Sequence, residues 1–212
     1  MRLSIFGIAL YSFAMLAPGA VLAQAGYVHA VTGTATIADA NGVARPARTG
    51  DLINQGATLN TAPNSTAVIK FEDGQVMALR ERTGFRVADY SYNKTNISNS
   101  RAVFNLLAGG FRFITGVIGA TNPNSFRIIG GTATIGIRGT DGYVDYDPVT
   151  QAVTAAVNAG AVVFSTPLGT QTIPANSFVS ASPNSPPTTP ASIISSSSLV
   201  GRNGVYSSWS VT

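Results

Sequence analysis

The 212-residue chain contains no cysteine and only one histidine. Without cysteine, the protein has no disulfide, no thiol nucleophile and no cysteine-based metal site. A Ser-His-Asp arrangement would have to use His29, and nothing else in the sequence marks a nucleophile. Glu72 and Glu81 are the only glutamates, so the carboxylate pair of a glycosidase is also poorly supported. We therefore predict a protein that is not an enzyme and that has no cofactor and no metal.

Charge is also scarce, since charged residues make up 10% of the chain and the formal net charge is +4. Most positive residues are arginines, and they are scattered rather than gathered into the basic stripe that is typical of nucleic-acid binders. Arg80, Arg82 and Arg86 come closest to a cluster, but Glu81 interrupts it. We interpret this stretch as a solvated loop, with a polyanion-binding edge as the alternative. We predict no nucleic-acid partner.

The N-terminus has the pattern of a secretory signal peptide. Arg2 supplies a positive charge before an apolar run over residues 3–17, and a Pro-Gly pair then breaks this run. Small residues at Ala23 and Ala25 provide two signal-peptidase sites. The alternative, a retained membrane anchor, would need a span of about 20 apolar residues. We expect residues 1–25 to be removed, leaving a periplasmic or secreted protein without a transmembrane helix.

The remaining pattern is typical of an all-β protein. Short β-favouring runs alternate with turn signals about every 8 to 12 residues, and no long stretch has helical periodicity. We predict one β-domain over residues 26–180, a sandwich or roll of many short antiparallel strands. Strands are predicted at residues 27–31, 33–38, 56–61, 66–72, 75–80, 86–90, 102–107, 110–114, 125–129, 132–137, 142–147, 154–158, 161–165 and 170–173.

Two Asx-Gly pairs are the clearest turn signals. For Asp73-Gly74 we predict a two-residue hairpin turn with both residues at positive φ, and Asn41-Gly42 is a second candidate turn. The pentapeptide GTATI occurs at residues 33–37 and again at residues 131–135. This echo is either a coincidence or a pseudo-repeat that places equivalent strands in two halves of the fold.

The composition changes near the C-terminus. Residues 181–212 begin with a Ser/Pro/Thr-rich and almost uncharged stretch, SPNSPPTTPASIISSSS. Such a segment cannot bury enough apolar area to offset its chain entropy, so we predict a disordered or extended tail. The final GVYSSWSVT regains some β-like alternation around Trp209. This end either docks weakly on the domain or forms a sticky terminus.

The segment GGTATIGIRGTDGYV, residues 130–144, alternates like a strand but changes phase in the middle. Apolar residues lie at odd positions up to Ile137 and at even positions from Val144. A shift of one residue across Gly139 predicts a bulge or a tight bend. We expect Arg138 to be mainly structural, pinning the bend through turn carbonyls or a carboxylate. The candidate partners are Asp51, Asp73 and Asp141; the alternative is an anion-binding arginine.

Three aspartates follow the bend in the stretch DGYVDYD. Asp141, Asp145 and Asp147 share one parity, and three carboxylates on one side of a strand could hold Ca²⁺. We favour a solvated strand edge, on which the charges prevent sheet-to-sheet association.

An ordered series of motifs completes the sequence evidence. It comprises VTGTATI, GDLI, AVIKFEDGQVMAL, LLAGGFRF, SFRIIGGTATIGIRGTDGYV, GAV and IPA. Over residues 33–174 this series resembles the FecR domain, the periplasmic module of bacterial proteins named after the iron-citrate signal transducer. The family's Arg-Gly-Thr turn corresponds to Arg138, Gly139 and Thr140, which are our candidate binding residues. The glycine after its Leu-rich strand corresponds to Gly109 or Gly110.

The resemblance implies a function for the exported β-module alone. A complete transducer of that family adds a cytoplasmic segment that meets a sigma factor, a membrane helix and a C-terminal part that meets an outer-membrane receptor. This sequence has a signal peptide and a Ser/Pro tail at those places, so sigma-factor regulation is not carried over. We expect a non-catalytic binding or sensing module at the bacterial cell envelope, with an envelope protein or a glycan as partner. The alternative is a structural surface subunit that self-associates through strand edges.

Overall fold

The structure is a computed structural model that describes residues 24–193. The predicted signal peptide up to residue 23 and the last 19 residues, with Trp209, lie outside the described range. The strands are β1 Gln24–Thr32, β2 Ala35–Ala38, β3 Ala44–Pro46, β4 Leu52–Asn54, β5 Thr58–Thr61, β6 Thr66–Phe71, β7 Val76–Leu79, β8 Gly84–Ser91, β9 Arg101–Ile114, β10 Phe126–Gly130, β11 Ala133–Asp147, β12 Ala152–Thr166, β13 Gly169–Pro174, β14 Ser177–Ala181 and β15 Ala191–Ser192. The helix α1 spans Val117–Thr121. No helix within residues 24–193 is long and apolar enough to cross a membrane.

The strands form one continuous hydrogen-bonded sheet that is folded into two layers. Layer I has the order β3-β2-β5-β8-β9-β10-β11-β12-β13, and layer II has the order β4-β1-β6-β7-β9-β11-β12-β14-β15. The long strands β9, β11 and β12 therefore belong to both layers. All these pairings are antiparallel except that of β9 with β10. The predicted all-β class is confirmed.

The inward faces of the two layers share one core. Phe71 of layer II contacts Phe85 and Phe104 of layer I, with ring centroids 6.5 and 5.1 Å apart. Phe104 also packs on Phe126, which is 1% exposed. Since these aromatic rings come from four strands, β6, β8, β9 and β10, their burial ties the layers together face to face.

The long strands change direction at glycines with positive φ. Gly109 in β9 has a φ of +74°, Gly139 in β11 +57° and Gly160 in β12 +83°. The sequence predicted two short strands at each of these places, but the chain continues as one strand, because glycine at a bulge bends the ladder without ending it. The predicted phase shift is confirmed, since the β11–β12 register changes twice between Arg138 and Gly142.

The Asp73-Gly74 turn lies where it was predicted, but its geometry differs. Only Gly74 has positive φ, +85°. The Gly74 N–H donates to the Phe71 carbonyl oxygen (3.1 Å) and the Phe71 N–H to that of Gln75 (3.0 Å), which makes a three-residue loop. The predicted two-residue turn is therefore wrong, and the loop resembles a type I turn followed by a glycine bulge. The Asn41-Gly42 pair also forms a turn, with Gly42 at +84°.

Asp73 also holds the short helix against this hairpin. Its side chain is buried, and its carboxylate accepts the N–H groups of Gln75 and Ile118 and the Tyr90 hydroxyl. The Tyr90 oxygen in turn accepts the Asp73 N–H at 3.1 Å, and the Asp73 carbonyl oxygen accepts the Val117 N–H at 2.9 Å. Burial raises the pKa of Asp73 despite these hydrogen bonds, and burial with the nearby Asp73 charge raises the pKa of Tyr90.

The described domain extends beyond both predicted boundaries. At the N-terminal side, Ala25 is fully buried in β1 and its carbonyl oxygen accepts the Glu72 N–H, so only cleavage after Ala23 leaves β1 intact. At the C-terminal side, residues 181–193 remain on the domain: β15 pairs with β14, and the Thr188 N–H donates to the Ser180 carbonyl oxygen. Because proline has no backbone N–H, this proline-rich segment has few hydrogen-bond donors, and some of these donors bind the edge of the sheet.

The two GTATI segments are alike in local structure but not in their position in the sheet. Gly33 and Gly131 both have positive φ, and the alanine and isoleucine that follow each of them are buried. However, β2 pairs with β3 and β5, whereas β11 pairs with β9, β10 and β12. The two strands therefore occupy different positions in the fold.

The glycine bulges generate the first prediction. A Cβ at Gly160 would collide with the carbonyl oxygen of Gly139, whereas a Cβ at Gly42 would meet nothing within 4 Å. Both glycines have positive φ, so Gly160→Ala should lower the free energy of unfolding by about 2 to 5 kcal/mol and the control Gly42→Ala by about 1 to 2 kcal/mol. Chemical denaturation measures both; equal losses would mean that the bulge tolerates a side chain.

The Asp73–Tyr90 contact generates the second prediction. Tyr90→Phe leaves the buried Asp73 N–H without its acceptor, so the free energy of unfolding should fall by about 1 to 3 kcal/mol. The control Tyr92→Phe removes a hydroxyl that has no hydrogen-bond partner among the described residues and should stay within about 0.5 kcal/mol of wild type. A Tyr90→Phe protein as stable as wild type would contradict the stabilising role of the Tyr90 hydroxyl at the Asp73 turn.

Candidate functional site

Arg138 does not pin the bend. Its side chain is exposed, and among residues 24–193 it forms no ion pair and no hydrogen bond. Its three predicted partners, Asp51, Asp73 and Asp141, all bind other residues. The prediction of a structural Arg138 is therefore wrong, because the arginine lies before the bulge on the outward side of layer I, whereas Asp141 lies after it in layer II.

Threonines hold the bend instead. Thr140 is 3% exposed, and its hydroxyl donates to the Ala161 carbonyl oxygen at 2.8 Å. The Thr115 hydroxyl donates to the Thr140 carbonyl oxygen at 2.6 Å and accepts the Thr140 N–H at 2.9 Å. Within the Arg-Gly-Thr turn, Thr140 is thus a structural residue, Gly139 supplies the bulge conformation, and Arg138 remains exposed.

The outward side of layer II carries paired charges. Arg112 on β9 binds both carboxylate oxygens of Asp141 on β11, at 2.9 and 2.7 Å, and its guanidinium lies 5.9 Å from the centre of the Tyr143 ring. The Asp141 carboxylate raises the pKa of Arg112. A second ion pair joins Arg80 and Asp145.

The acidic stretch after the bend therefore has structural uses. Asp141 and Asp145 form the two ion pairs, and the Asp147 carboxylate accepts the N–H and hydroxyl of Thr150 in the following turn. Within residues 24–193, no group of three acidic or histidine side chains has the arrangement of a metal site. The Ca²⁺ alternative finds no support in this part of the chain.

The outward side of layer I carries unpaired arginines. In the strands from β8 to β13 it presents four arginines, Arg86, Arg101, Arg127 and Arg138, and one acidic residue, Asp89, which pairs with Arg101 at 2.8 Å. We call this surface the arginine face. Four positive charges and one negative charge leave an excess of three. Arg86, Arg127 and Arg138 meet no carboxylate among residues 24–193.

The strand register places two of these arginines around a recess. Arg127 on β10 lies directly opposite Gly136 on β11, and Arg138 lies two residues further along β11. Diagonal neighbours of this kind have Cα atoms about 7 to 8 Å apart. Because Gly136 has no side chain, a cavity of about 500 Å³ opens between them, which we call the arginine cleft. Its lining includes Asn124, Arg127, Thr134, Arg138, Val163 and Ser165.

The strands around the cleft hold these side chains in place. β10 is paired with β9 and β11 on its two sides, and β11 is paired with β10 and β12. Arg127 is flanked by the fully buried Phe126 and Ile128, which anchor β10 in the core. Apart from Pro123 and Asn124, which precede β10, the cleft is therefore built on paired strands of the sheet.

Sequence reasoning found one residue of the cleft and missed the rest. Arg138 was a candidate, but Arg127 was not singled out. The apolar residues on either side of Arg127 could have predicted that its side chain points outward. That it lies near Arg138 depends on the β10–β11 register. The three arginines of the Arg80–Arg86 stretch lie in different surroundings: Arg80 is ion-paired, Arg82 lies in a turn and Arg86 lies on the arginine face.

A second recess of about 430 Å³ lies beside Arg80, Glu81 and Tyr146. Most of its charged residues are bound within the protein: Arg80 pairs with Asp145, and the Glu81 carboxylate accepts the Asn64 N–H at 2.6 Å. Arg82 is the one arginine of this recess without a carboxylate partner among residues 24–193, whereas the arginine cleft has two such arginines and no acidic residue in its lining, and it is therefore the stronger candidate.

The contrast between the layers generates the third prediction. Arg112→Ala removes a two-point ion pair that is mostly shielded from water, so the free energy of unfolding should fall by about 1 to 3 kcal/mol. Arg138→Ala removes an exposed side chain that has no partner among residues 24–193, and it should stay within about 0.5 kcal/mol of wild type. Thermal and chemical denaturation compare the two; a larger loss for Arg138→Ala would restore its structural role.

Comparisons with known proteins agree with this architecture. No curated protein matches the chain. Two crystal structures of a proposed anti-sigma factor from Parabacteroides distasonis, at 1.65 and 2.50 Å resolution, are similar with a TM-score of 0.51 and 14% sequence identity. The similarity covers 64% of this chain and 59% of that protein's chain, and at this identity it supports the fold alone.

The sequence profile of the FecR protein family matches residues 57–163, which is just over half of the chain. The matched segment runs from the strand region of β5 into β12 and includes Arg86, Arg127, Gly136 and Arg138. The chain therefore belongs to the FecR family.

Proposed function

We propose that the protein is a non-catalytic binding or sensing module of the bacterial cell envelope, exported to the periplasm or beyond, and that the arginine cleft is its binding site. The observation that carries this proposal is the pair Arg127 and Arg138, two unpaired guanidinium groups across an open recess on a rigid sheet.

What distinguishes this pair is that two unpaired arginines line one recess. Among residues 24–193, Arg45, Arg80, Arg101 and Arg112 each pair with an aspartate, whereas Arg48, Arg82 and Arg86 have no carboxylate partner but do not line the arginine cleft. Two like charges on neighbouring strands repel each other, and a bound anion relieves this repulsion. A ligand group at the cleft would supply the missing charge.

The surroundings of His29 support a role without catalysis. His29 lies on β1 in layer II, and its ring makes an edge contact with Tyr27, with centroids 6.2 Å apart. The arginine cleft lies on the outward side of layer I. The chain's single histidine thus does not line the recess in which a substrate would be held.

The family supports a sensing role. The structural neighbour is a proposed anti-sigma factor, which fits a regulatory setting for this β-domain. In such a setting, the role that we propose for the domain is to bind an envelope partner. We do not propose that it contacts a sigma factor.

Strand edges support the structural alternative. Among residues 24–193, β13 pairs only with β12, so the other side of this six-residue strand has no strand partner in that range and offers an edge for pairing with another copy of the chain. Light scattering over a range of concentrations separates the alternatives: a protein that remains monomeric at high concentration favours the binding module.

Export is the fourth prediction. When the full chain is expressed in a Gram-negative host, it should be recovered from the periplasmic or extracellular fraction without residues 1–23, because this cleavage leaves β1 complete. Intact-mass spectrometry of the fractionated protein measures this. A mature mass that still includes the apolar N-terminal run would contradict export by signal-peptide cleavage.

The binding site is tested on the same exported protein. An Arg127→Ala/Arg138→Ala double variant should lose chemical cross-linking to envelope material from its host. An Arg48→Ala/Lys70→Ala variant is the matched control, because it removes the same charge from residues that do not line the cleft. Equal cross-linking of the two variants would show that the cleft is not the binding site.

A further inference from the structure

We infer that the ligand of the arginine cleft is an acidic oligosaccharide whose sugars carry carboxylates, as in chains of uronic acids. This inference rests on the proposed function and names the chemical class of the ligand at that site.

The charges select an anion with more than one carboxylate. Arg127 and Arg138 face the same recess, and a guanidinium binds a carboxylate through two parallel hydrogen bonds. The third unpaired arginine, Arg86, lies on the same surface: it is opposite Asn105 on β9, which is opposite Ile129 on β10. A track of positive charge over four strands suits a chain of repeated anionic units better than one small anion.

The neutral side chains select a hydroxylated ligand. Thr134, Ser165 and Asn124 line the cleft, and Thr170 and Thr172 continue the surface on β13. Hydroxyl and amide groups both donate and accept hydrogen bonds, as sugar hydroxyls do. Val163, 47% exposed beside Gly136, offers an apolar patch for the carbon face of a ring.

The backbone argues against an acidic peptide. Peptides often bind by adding a strand to an open sheet edge, which supplies main-chain hydrogen bonds. β10 and β11 are each paired on both sides, so the cleft offers no free backbone edge. A peptide there would have to bind through side chains alone.

The shape argues against a lipid surface. The cleft is a recess of about 500 Å³, within the range of about 300 to 1,000 Å³ that is usual for small-ligand pockets. Gly136 lines this recess, and a Cβ placed there would meet only the Val163 carbonyl oxygen within 4 Å, which leaves room for an inserted ring. A flat layer of headgroups would meet the rims of the recess and leave it empty.

The fifth prediction tests this ligand class. Isothermal titration of the mature protein with oligogalacturonate should show binding, and maltooligosaccharide of the same length, which is neutral, should show none. The Arg127→Ala/Arg138→Ala variant should bind at least about tenfold more weakly, since it removes both charged hydrogen-bond donors from the cleft. The Arg48→Ala/Lys70→Ala control should stay within about twofold of wild type.

Gly136→Val separates shape from charge. A Cβ at Gly136 has one neighbour within 4 Å, the Val163 carbonyl oxygen at 3.9 Å, so valine fits the strand while filling the cleft. This variant should keep the stability of wild type and lose oligogalacturonate binding by at least about tenfold. Undiminished binding by Gly136→Val would overturn the cleft as the sugar site and leave general charge attraction.

The remaining outcomes identify what failed. Equal binding of poly-L-glutamate would overturn the sugar class in favour of an acidic peptide, and equal binding of phosphatidylglycerol vesicles would overturn it in favour of a lipid surface. If oligogalacturonate does not bind while the double arginine variant still loses envelope cross-linking, the binding module stands and the ligand class is wrong. If neither effect occurs, both proposals fail.

Discussion

The fold depends on three strands that belong to two layers at once. β9, β11 and β12 can pass from one layer to the other because glycines take up the bends, at Gly109, Gly139 and Gly160. The Thr115–Thr140 hydrogen bonds and the Thr140–Ala161 contact then fix the bend of β11. Since the same chain segments build both halves, the two layers share one core and cannot separate like domains joined by a linker.

This arrangement gives the two outward surfaces different electrostatic characters. After the bend, β11 carries Asp141 and Asp145, which form ion pairs with Arg112 and Arg80 and so neutralise these charges within the protein. Before the bend, the same strand places Arg138 beside Arg127 with no acidic side chain between them. One strand therefore supplies two acids to ion pairs on the outward side of layer II, and it supplies to layer I an arginine that has no carboxylate partner among residues 24–193.

Local patterns predicted the parts of the fold that depend on consecutive residues. Burial of Ile135, Ile137 and Val144 and the phase change between them followed from parity, and the Asp73-Gly74 turn was placed correctly. The sequence did not predict that short strands join into β9, β11 and β12, because a glycine that ends a strand and a glycine that bends one have the same sequence pattern. Partnerships such as Arg112–Asp141, Asp73–Tyr90 and Arg127–Arg138 depend on which strands become neighbours, and that is decided by the packing of the whole core. For this reason half of the cleft was identified from the sequence and the other half was not.

Gly136 lies at an outward position where a side chain would alter the depth of the cleft without disturbing the core. In the binding role that we propose for the cleft, this separates recognition from folding: larger residues at position 136 would narrow or close the site while the scaffold is retained. Single substitutions on one strand would then change what the site accepts, with no need to rebuild a loop.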